Sequence, residues 1–93
     1  MNALSRTRHH RESSDFRRVA TSLARTVRLL RRQKRWTVEA AAERFGVEPA
    51  YVRSIEAGRT NPSLAVLVSI ASAFGLLPGE LLLRNVRASD VRE

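Results

Sequence analysis

The sequence predicts an all-α domain built from five helices. Three observations support this prediction: apolar residues recur at helical spacing along most of the chain, no internal repeat interrupts them, and glycine or proline separates the periodic segments. Ninety-three residues are enough for one domain with a small core. We place that domain at residues 15–84, between an arm at residues 1–14 and a tail at residues 85–93.

The arm is rich in arginine, serine and histidine and short of large apolar side chains, so we expect it to be flexible. Should the chain bind DNA, this arm could reach around the duplex or into its minor groove, and the candidate side chains for such contacts are Arg6, Arg8 and Arg11. A solvated tail is the simpler alternative. His9 and His10 are adjacent and flanked by arginine, which is poor spacing for a metal ligand set, so we expect no metal here.

The first helix is predicted at roughly residues 15–34, with its start near Ser13. An apolar seam runs along it, formed by Phe16, Val19, Ala20, Leu23, Ala24, Val27 and Leu30. At about 30 Å this helix is longer than a compact bundle of short helices requires. Its N-terminal half is therefore expected to pack on the C-terminal helix or on a partner subunit.

The next two predicted helices are short and are joined by a tight turn. Thr37 is a good N-cap for the first of them. One face of that helix is shared by Val38, Ala41, Ala42 and Phe45. Gly46 permits the chain to reverse, and Pro49 suits the first position of a helix that ends at Gly58. Such a pair is the helix-turn-helix pattern, whose second helix enters the DNA major groove; an αα-hairpin of a small bundle is the alternative.

The C-terminal part is predicted to complete the core and to contact another chain. Trp36 stands at an element boundary and is expected to be a buried anchor rather than a base-stacking residue. Ser63 caps a helix ending at Gly75, and its broad apolar face is formed by Leu64, Leu67, Val68, Ile70, Ala71 and Phe74. Three consecutive leucines in a last short helix cannot all face one core, so a dimer contact is predicted among Leu81, Leu82 and Leu83.

The formal charge of +8 is concentrated at the N-terminal end. Residues 1–35 hold eleven basic and two acidic side chains, whereas residues 36–93 hold six basic and seven acidic ones. Such a basic block beside a groove-binding unit would strengthen binding to a polyanion, most simply nucleic acid. Cysteine is absent and no apolar run is long enough to cross a bilayer, so we expect a cytoplasmic protein without cofactor or membrane contact.

Taken in order, residues 27–83 resemble the lambda repressor/Cro-like (XRE) helix-turn-helix family. The residues that carry the resemblance include Trp36-Thr37, Phe45-Gly46-Val47, Ile55-Glu56-Ala57-Gly58 and Pro62-Ser63-Leu64. The resemblance implies a five-helix lambda repressor-like domain, here with an N-terminally extended first helix. It also implies binding of operator DNA as a symmetric dimer.

Position by position, the resemblance and the side-chain chemistry assign three groups of residues. The expected base-facing residues are Val38, Pro49, Ala50, Arg53 and Ser54. The expected phosphate-binding residues are Thr37, Tyr51, Arg59, Thr60 and Asn61, with packing at the groove wall as the alternative for Tyr51. Arg31 and Glu56 match a structural ion pair that ties the first helix to the third.

Two departures from the family pattern weaken base recognition. Val38 stands where the family usually has Gln, and Glu48 replaces the usual Ser or Thr cap. Base recognition by paired amides is therefore not expected, although Arg53 can bond guanine O6 and N7. Specificity is expected to be modest, with phosphate contacts and DNA shape supplying a large share.

The function predicted from these features is a sequence-specific transcriptional regulator, most simply a repressor. Its homodimer would insert the helix around residues 49–57 into the major groove of double-stranded DNA. The alternative is a protein-interaction module, such as an antitoxin or an accessory subunit. An enzyme is not expected, because Glu39 and Glu43 form a solvated pair with no nucleophile, base or metal ligands nearby.

Overall fold

The computed structural model describes residues 13–82, and every regular element in that range is a helix. The helices are α1 (Ser14–Gln33), α2 (Val38–Phe45), α3 (Pro49–Glu56), α4 (Leu64–Phe74) and α5 (Pro78–Leu81). The all-α prediction with a long first helix is therefore confirmed. The predictions for Arg6, Arg8, Arg11 and Leu83 lie outside the described residues.

Three of the helices begin at the predicted hydroxyl caps. The side chains of Ser13, Thr37 and Ser63 each accept a hydrogen bond from the backbone N–H three residues on, at 3.0, 3.0 and 3.1 Å. Each bond satisfies one of the N–H groups that a helix leaves without an internal partner. Short polar side chains at these positions thus determine where α1, α2 and α4 start.

The helix ends share one backbone arrangement. After α2, α3 and α4 the chain passes through Gly46, Gly58 and Gly75 with φ between 72° and 73°. After α1 the same left-handed conformation falls on Arg35, with φ 61°. There the N–H groups of Arg35 and Trp36 donate to the carbonyls of Arg32 and Arg31, as in a Schellman motif. Only this reversal uses a residue that bears a Cβ, among those described.

The core draws one or two large, fully buried side chains from each described helix. They are Val27, Phe45, Val52, Ile55, Ile70 and Leu81. Trp36 lies at the edge of this core, where its ring stacks on Phe74 at 5.2 Å between centroids and the guanidinium of Arg44 covers it at 4.4 Å. Trp36 packs against the core as expected, but its side chain is only partly buried and not fully buried as predicted.

Two parts of the predicted apolar pattern are not buried. Val19 lies in the predicted seam of α1 but is exposed, and so are Leu64 and Val68 on α4. On the N-terminal half of α1, Ala20 and Leu23 are buried, and Ala20 and Thr21 lie beside Gly58. α5 contacts α1 as well. That the N-terminal half itself packs on the C-terminal helix or on a partner subunit stays a prediction.

The prediction of Leu81 as a dimer contact is wrong. Leu81 is 0% exposed within the chain itself, because the short α5 folds back onto α4 and turns this side chain into the core. Leu82 follows as the helix cap and is partly buried against the same core. Leu81 therefore cannot reach a second chain, while Leu83 lies outside the described residues.

Candidate nucleic-acid interface

The turn between α2 and α3 sets the relative position of the two helices. Ala41 and Ala42 are buried on α2, and their small side chains allow α3 to cross closely. Val52 and Ile55 fill the facing side of α3. Gly46 has φ 73° between the helices, a conformation that costs little for glycine. The arrangement leaves the opposite face of α3 pointing away from the core.

That outer face is formed by Ala50, Arg53 and Ala57, which are exposed and recur at helical spacing. Two of these are predicted base-facing residues, Ala50 and Arg53. Pro49 is half-buried at the first position of α3, and Val38 is half-buried and packs against the core. The structure thus places Ala50 and Arg53 on a free surface and leaves Pro49 and Val38 only partly accessible.

The guanidinium of Arg53 is not alone on this surface. Its Nη2 donates to Oε2 of Glu39, in the first turn of α2, at 3.0 Å. Glu39 was not among the predicted interface residues, and only its position near the start of α2 could have indicated it. The pair links the N-terminal end of α2 to the outer face of α3.

Ser54 is placed differently from the expectation for a base-facing residue. Its hydroxyl forms a hydrogen bond with the hydroxyl of Thr60, and the side chain is half-buried. This bond joins α3 to the loop that follows it, in which Arg59 and Asn61 are exposed. Ser54 and Thr60 therefore act together to hold that loop against α3.

Thr37 and Tyr51 complete the set predicted to face phosphate. Thr37 is exposed at the N-terminus of α2, where unpaired backbone N–H groups and the helix dipole favour an anion. Its hydroxyl already accepts from the N–H of Ala40. Tyr51 is half-buried and packs against the core, so only part of its side chain is accessible to a duplex.

Behind this surface, α3 is fixed to α1 through Glu56. Nε and Nη2 of Arg31 donate to the two carboxylate oxygens of Glu56 at 2.7 and 3.0 Å, which is the predicted ion pair. Nη1 of Arg31 donates to the carbonyl of Trp36 at 2.9 Å. Arg28 adds a bond to the Glu56 carbonyl at 2.8 Å, a contact that the sequence did not indicate.

The ion pair also affects the titration of Arg31. Its pKa is raised above the ordinary value, chiefly by the hydrogen bond with Glu56 and further by the opposite charge, while burial acts in the other direction. For a cation with a raised pKa, the stabilisation is fully present below the unfolded-state pKa and is lost only as pH rises through the folded-state value. Because arginine titrates only at extreme alkaline pH, the Arg31 cation persists through the neutral range.

Most of the basic side chains in residues 13–82 lie on α1. Residues 36–82 contain three arginines against five glutamates, whereas α1 contains six arginines and one aspartate. A cleft of about 440 Å³ along α1 is lined by Ser14, Arg17, Arg18, Thr21, Ser22 and Arg25. The Cα of Thr21 lies 4.0 Å from the position that a Cβ on Gly58 would take. The basic cleft therefore adjoins the loop that follows α3.

Within residues 13–82, no group of three or more His, Asp or Glu side chains could hold a metal ion. In the same range, no helix has the length and apolar character required to span a membrane.

Comparison with known proteins identifies the family. A family model described as a helix-turn-helix domain matches residues 22–84, which is most of the chain. The chain belongs to this helix-turn-helix family. The predicted lambda repressor/Cro-like (XRE) type is confirmed by the same match and by the similarity to the structure of C.AhdI, described below.

Three relatives of this helix-turn-helix protein have names that describe regulators of gene expression or of restriction-modification. A hypothetical transcription factor from Neisseria meningitidis serogroup B is 35% identical over 72 residues, which cover 77% of this chain and 65% of that protein. The uncharacterized HTH-type transcriptional regulator y4dJ from Sinorhizobium fredii is 40% identical over 53 residues, or 57% of this chain and 69% of that protein. The restriction-modification controller protein C.AhdI from Aeromonas hydrophila superposes with a TM-score of 0.63 at 31% identity, covering 67% of this chain and 94% of that one.

Proposed function

We propose that this helix-turn-helix protein is a sequence-specific, DNA-binding transcriptional regulator that acts in the cytoplasm as a repressor. The observation that carries the proposal is the outer face of α3, where Ala50, Arg53 and Ala57 are exposed while Val52 and Ile55 on the other side are buried. A helix with one anchored and one free face, next to a glycine turn, is suited to enter a major groove.

Base recognition in this proposal depends chiefly on Arg53. Its guanidinium can donate two parallel hydrogen bonds to O6 and N7 of guanine, a contact that distinguishes guanine from other bases. Ala50 offers a methyl group for contact with a thymine methyl. Ser54 contributes by holding the following loop, since its hydroxyl is engaged with Thr60.

Phosphate contacts would flank α3 on both sides. The N-terminus of α2 at Thr37 supplies backbone N–H groups, and the loop after α3 supplies the exposed Arg59 and Asn61. The arginines of α1 add counterion-release affinity that the net-negative residues 36–82 cannot provide. Affinity and base preference would thus come from different parts of the domain.

A homodimer is part of the proposal. Leu64, Leu77 and Val68 are 74%, 71% and 48% exposed, and burying a large apolar side chain contributes roughly 1.5–3 kcal/mol. Leu64 and Val68 lie one turn apart on α4 and so share one face. A symmetric dimer that binds two half-sites would need its two copies of α3 about 34 Å apart, the spacing of successive major grooves.

The experiment is selection of bound duplexes from a random pool, followed by titration of the selected duplex across salt concentrations. We expect affinity to fall steeply with salt and Arg53→Ala to cost about 1–3 kcal/mol while relaxing the preference at one base pair. Arg44→Ala is the matched control, because it removes a cation from α2 that covers Trp36. Failure to enrich any duplex, or equal effects of the two variants, would contradict the proposal.

A protein-interaction module, such as an antitoxin or accessory subunit, is the second candidate. The exposed Leu64 and Leu77 favour it, because either a second copy or a different protein could cover them. Purification of a stable heteromeric complex that retains no DNA would support this function over the first.

A further inference from the structure

The ion pair between Glu39 and Arg53 joins the two helices at their exposed surface. Oε2 of Glu39 and Nη2 of Arg53 are 3.0 Å apart, and the side chains remain 64% and 57% exposed. Fourteen residues separate the two positions in the sequence, so the turn at Gly46 brings them together. The pair therefore lies on the same surface as the proposed base contact.

Stability does not explain this pair. Exposed ion pairs contribute little to the free energy of folding, because solvent screens the charges and ordering two long side chains costs entropy. The helices are already joined by buried Ala41, Ala42, Val52 and Ile55. The larger consequence of the contact is on the position and charge environment of the Arg53 guanidinium.

Two physical effects follow for an arginine that contacts a base. Holding the side chain before binding reduces the rotamer entropy that would otherwise be lost in the complex. Glu39 occupies one of the five N–H donors of the guanidinium, so the others can still bond O6 and N7 of guanine. The carboxylate also repels phosphate, which opposes complexes in which Arg53 contacts the DNA backbone instead of a base.

We propose that Glu39 is a positioning residue that determines specificity: it presents Arg53 to guanine and disfavours binding through phosphate alone. This inference rests on the proposed function, since it concerns how the same surface distinguishes DNA sequences. It adds to the interface a residue whose charge is opposite to that expected of a DNA-binding surface.

The test compares the selected duplex with the same duplex in which the guanine facing Arg53 is replaced. The wild-type chain, Glu39→Gln, Arg53→Ala and the double variant are titrated with both duplexes and with an unrelated duplex. We expect Glu39→Gln to bind the unrelated duplex more tightly and to lose about tenfold in discrimination at the guanine. In the double variant, discrimination should fall no further than in Arg53→Ala alone.

Glu43→Gln is the matched control, because Glu43 is an exposed carboxylate one turn further along α2. It changes the net charge by the same amount as Glu39→Gln. It should therefore raise the affinity for all three duplexes by the same factor and leave the discrimination at the guanine unchanged. If Glu39→Gln behaves like Glu43→Gln, Glu39 acts through net charge alone and the inference is overturned. If the wild-type chain enriches no duplex, the proposed function itself fails, and this inference fails with it.

Discussion

Arg31 on α1 and Glu56 at the end of α3 form a two-point hydrogen-bonded ion pair, with N–O distances of 2.7 and 3.0 Å. Their side chains are only 13% and 6% exposed. The pair fixes the end of α3 against the longest helix, and Arg31 also holds the carbonyl of Trp36 just before α2. One guanidinium thus connects both ends of the helix-turn-helix unit to α1.

We predict that Glu56→Gln lowers the free energy of unfolding by about 3 kcal/mol. Removing one partner of a buried pair leaves the other charge without compensation, and such changes typically cost about 3–5 kcal/mol. Urea denaturation followed by the fluorescence of Trp36, the single tryptophan, measures the change.

Glu39→Gln is the control for this prediction. It also removes a carboxylate from an ion pair with arginine, but from an exposed one, so its cost should stay below about 1 kcal/mol. Equal losses from the two substitutions would show that burial of Glu56 does not strengthen the pair.

Much of the fold was predictable because local chemistry marks its boundaries. Hydroxyl caps at Ser13, Thr37 and Ser63 and the glycine at 46 determine helix ends without reference to distant residues. The orientation of consecutive leucines was not predictable in this way. Leu81 is buried because α5 is a single turn folded back on α4. The spacing of apolar residues in the sequence does not predict this packing.

The candidate site was predictable to a lesser degree, for a related reason. Helical spacing indicates that Arg53 faces outward, but it cannot indicate which carboxylate reaches it. The bond from Arg53 to Glu39 and the bond from Ser54 to Thr60 depend on the crossing of α2 and α3 and on the path of the next loop. Which side chains of different helices and loops pair with one another can be determined only from the packed structure.

We predict that Arg35→Gly stabilises the domain by about 0.5–1 kcal/mol. The left-handed conformation at φ 61° costs a residue with a Cβ roughly 1–2 kcal/mol, while glycine loses about 0.5–1 kcal/mol more conformational entropy on folding. The midpoint of urea denaturation should therefore rise.

Lys34→Gly is the matched control, because Lys34 precedes Arg35 and has φ −82°. Glycine relieves no strain there and should lower stability by roughly 0.5–1 kcal/mol. The converse substitution, Gly46→Ala, should cost about 0.5–1 kcal/mol by the same balance of strain and entropy, since nothing lies within 4 Å of the added Cβ. An unchanged midpoint in Arg35→Gly would contradict the assigned strain.

We predict that Val68→Glu weakens the proposed dimer at least about tenfold while the subunit stays folded, since a charge would be buried in an apolar contact. Sedimentation equilibrium measures the dissociation constant. Ser69→Glu is the control, because it places the same charge at the next, exposed position of α4. Leu81→Ala should behave differently and cost about 2–5 kcal/mol of subunit stability through a core cavity. A dimer unaffected by Val68→Glu would remove α4 from the contact.

We predict that Arg25→Ala weakens DNA binding by a similar factor for every duplex. It should also reduce the slope of the logarithm of the binding constant against the logarithm of the salt concentration by about one. The reason is that Arg25 lines the basic cleft of α1, which adjoins the loop after α3 through Thr21 and Gly58. Its contact would be with phosphate, so base preference should not change. Lys34→Ala is the control, because nine residues at the helical repeat place Lys34 on the opposite side of α1. Equal slopes for the wild-type chain and Arg25→Ala would place the cleft outside the DNA interface and would require another source for the positive charge that residues 36–82 lack.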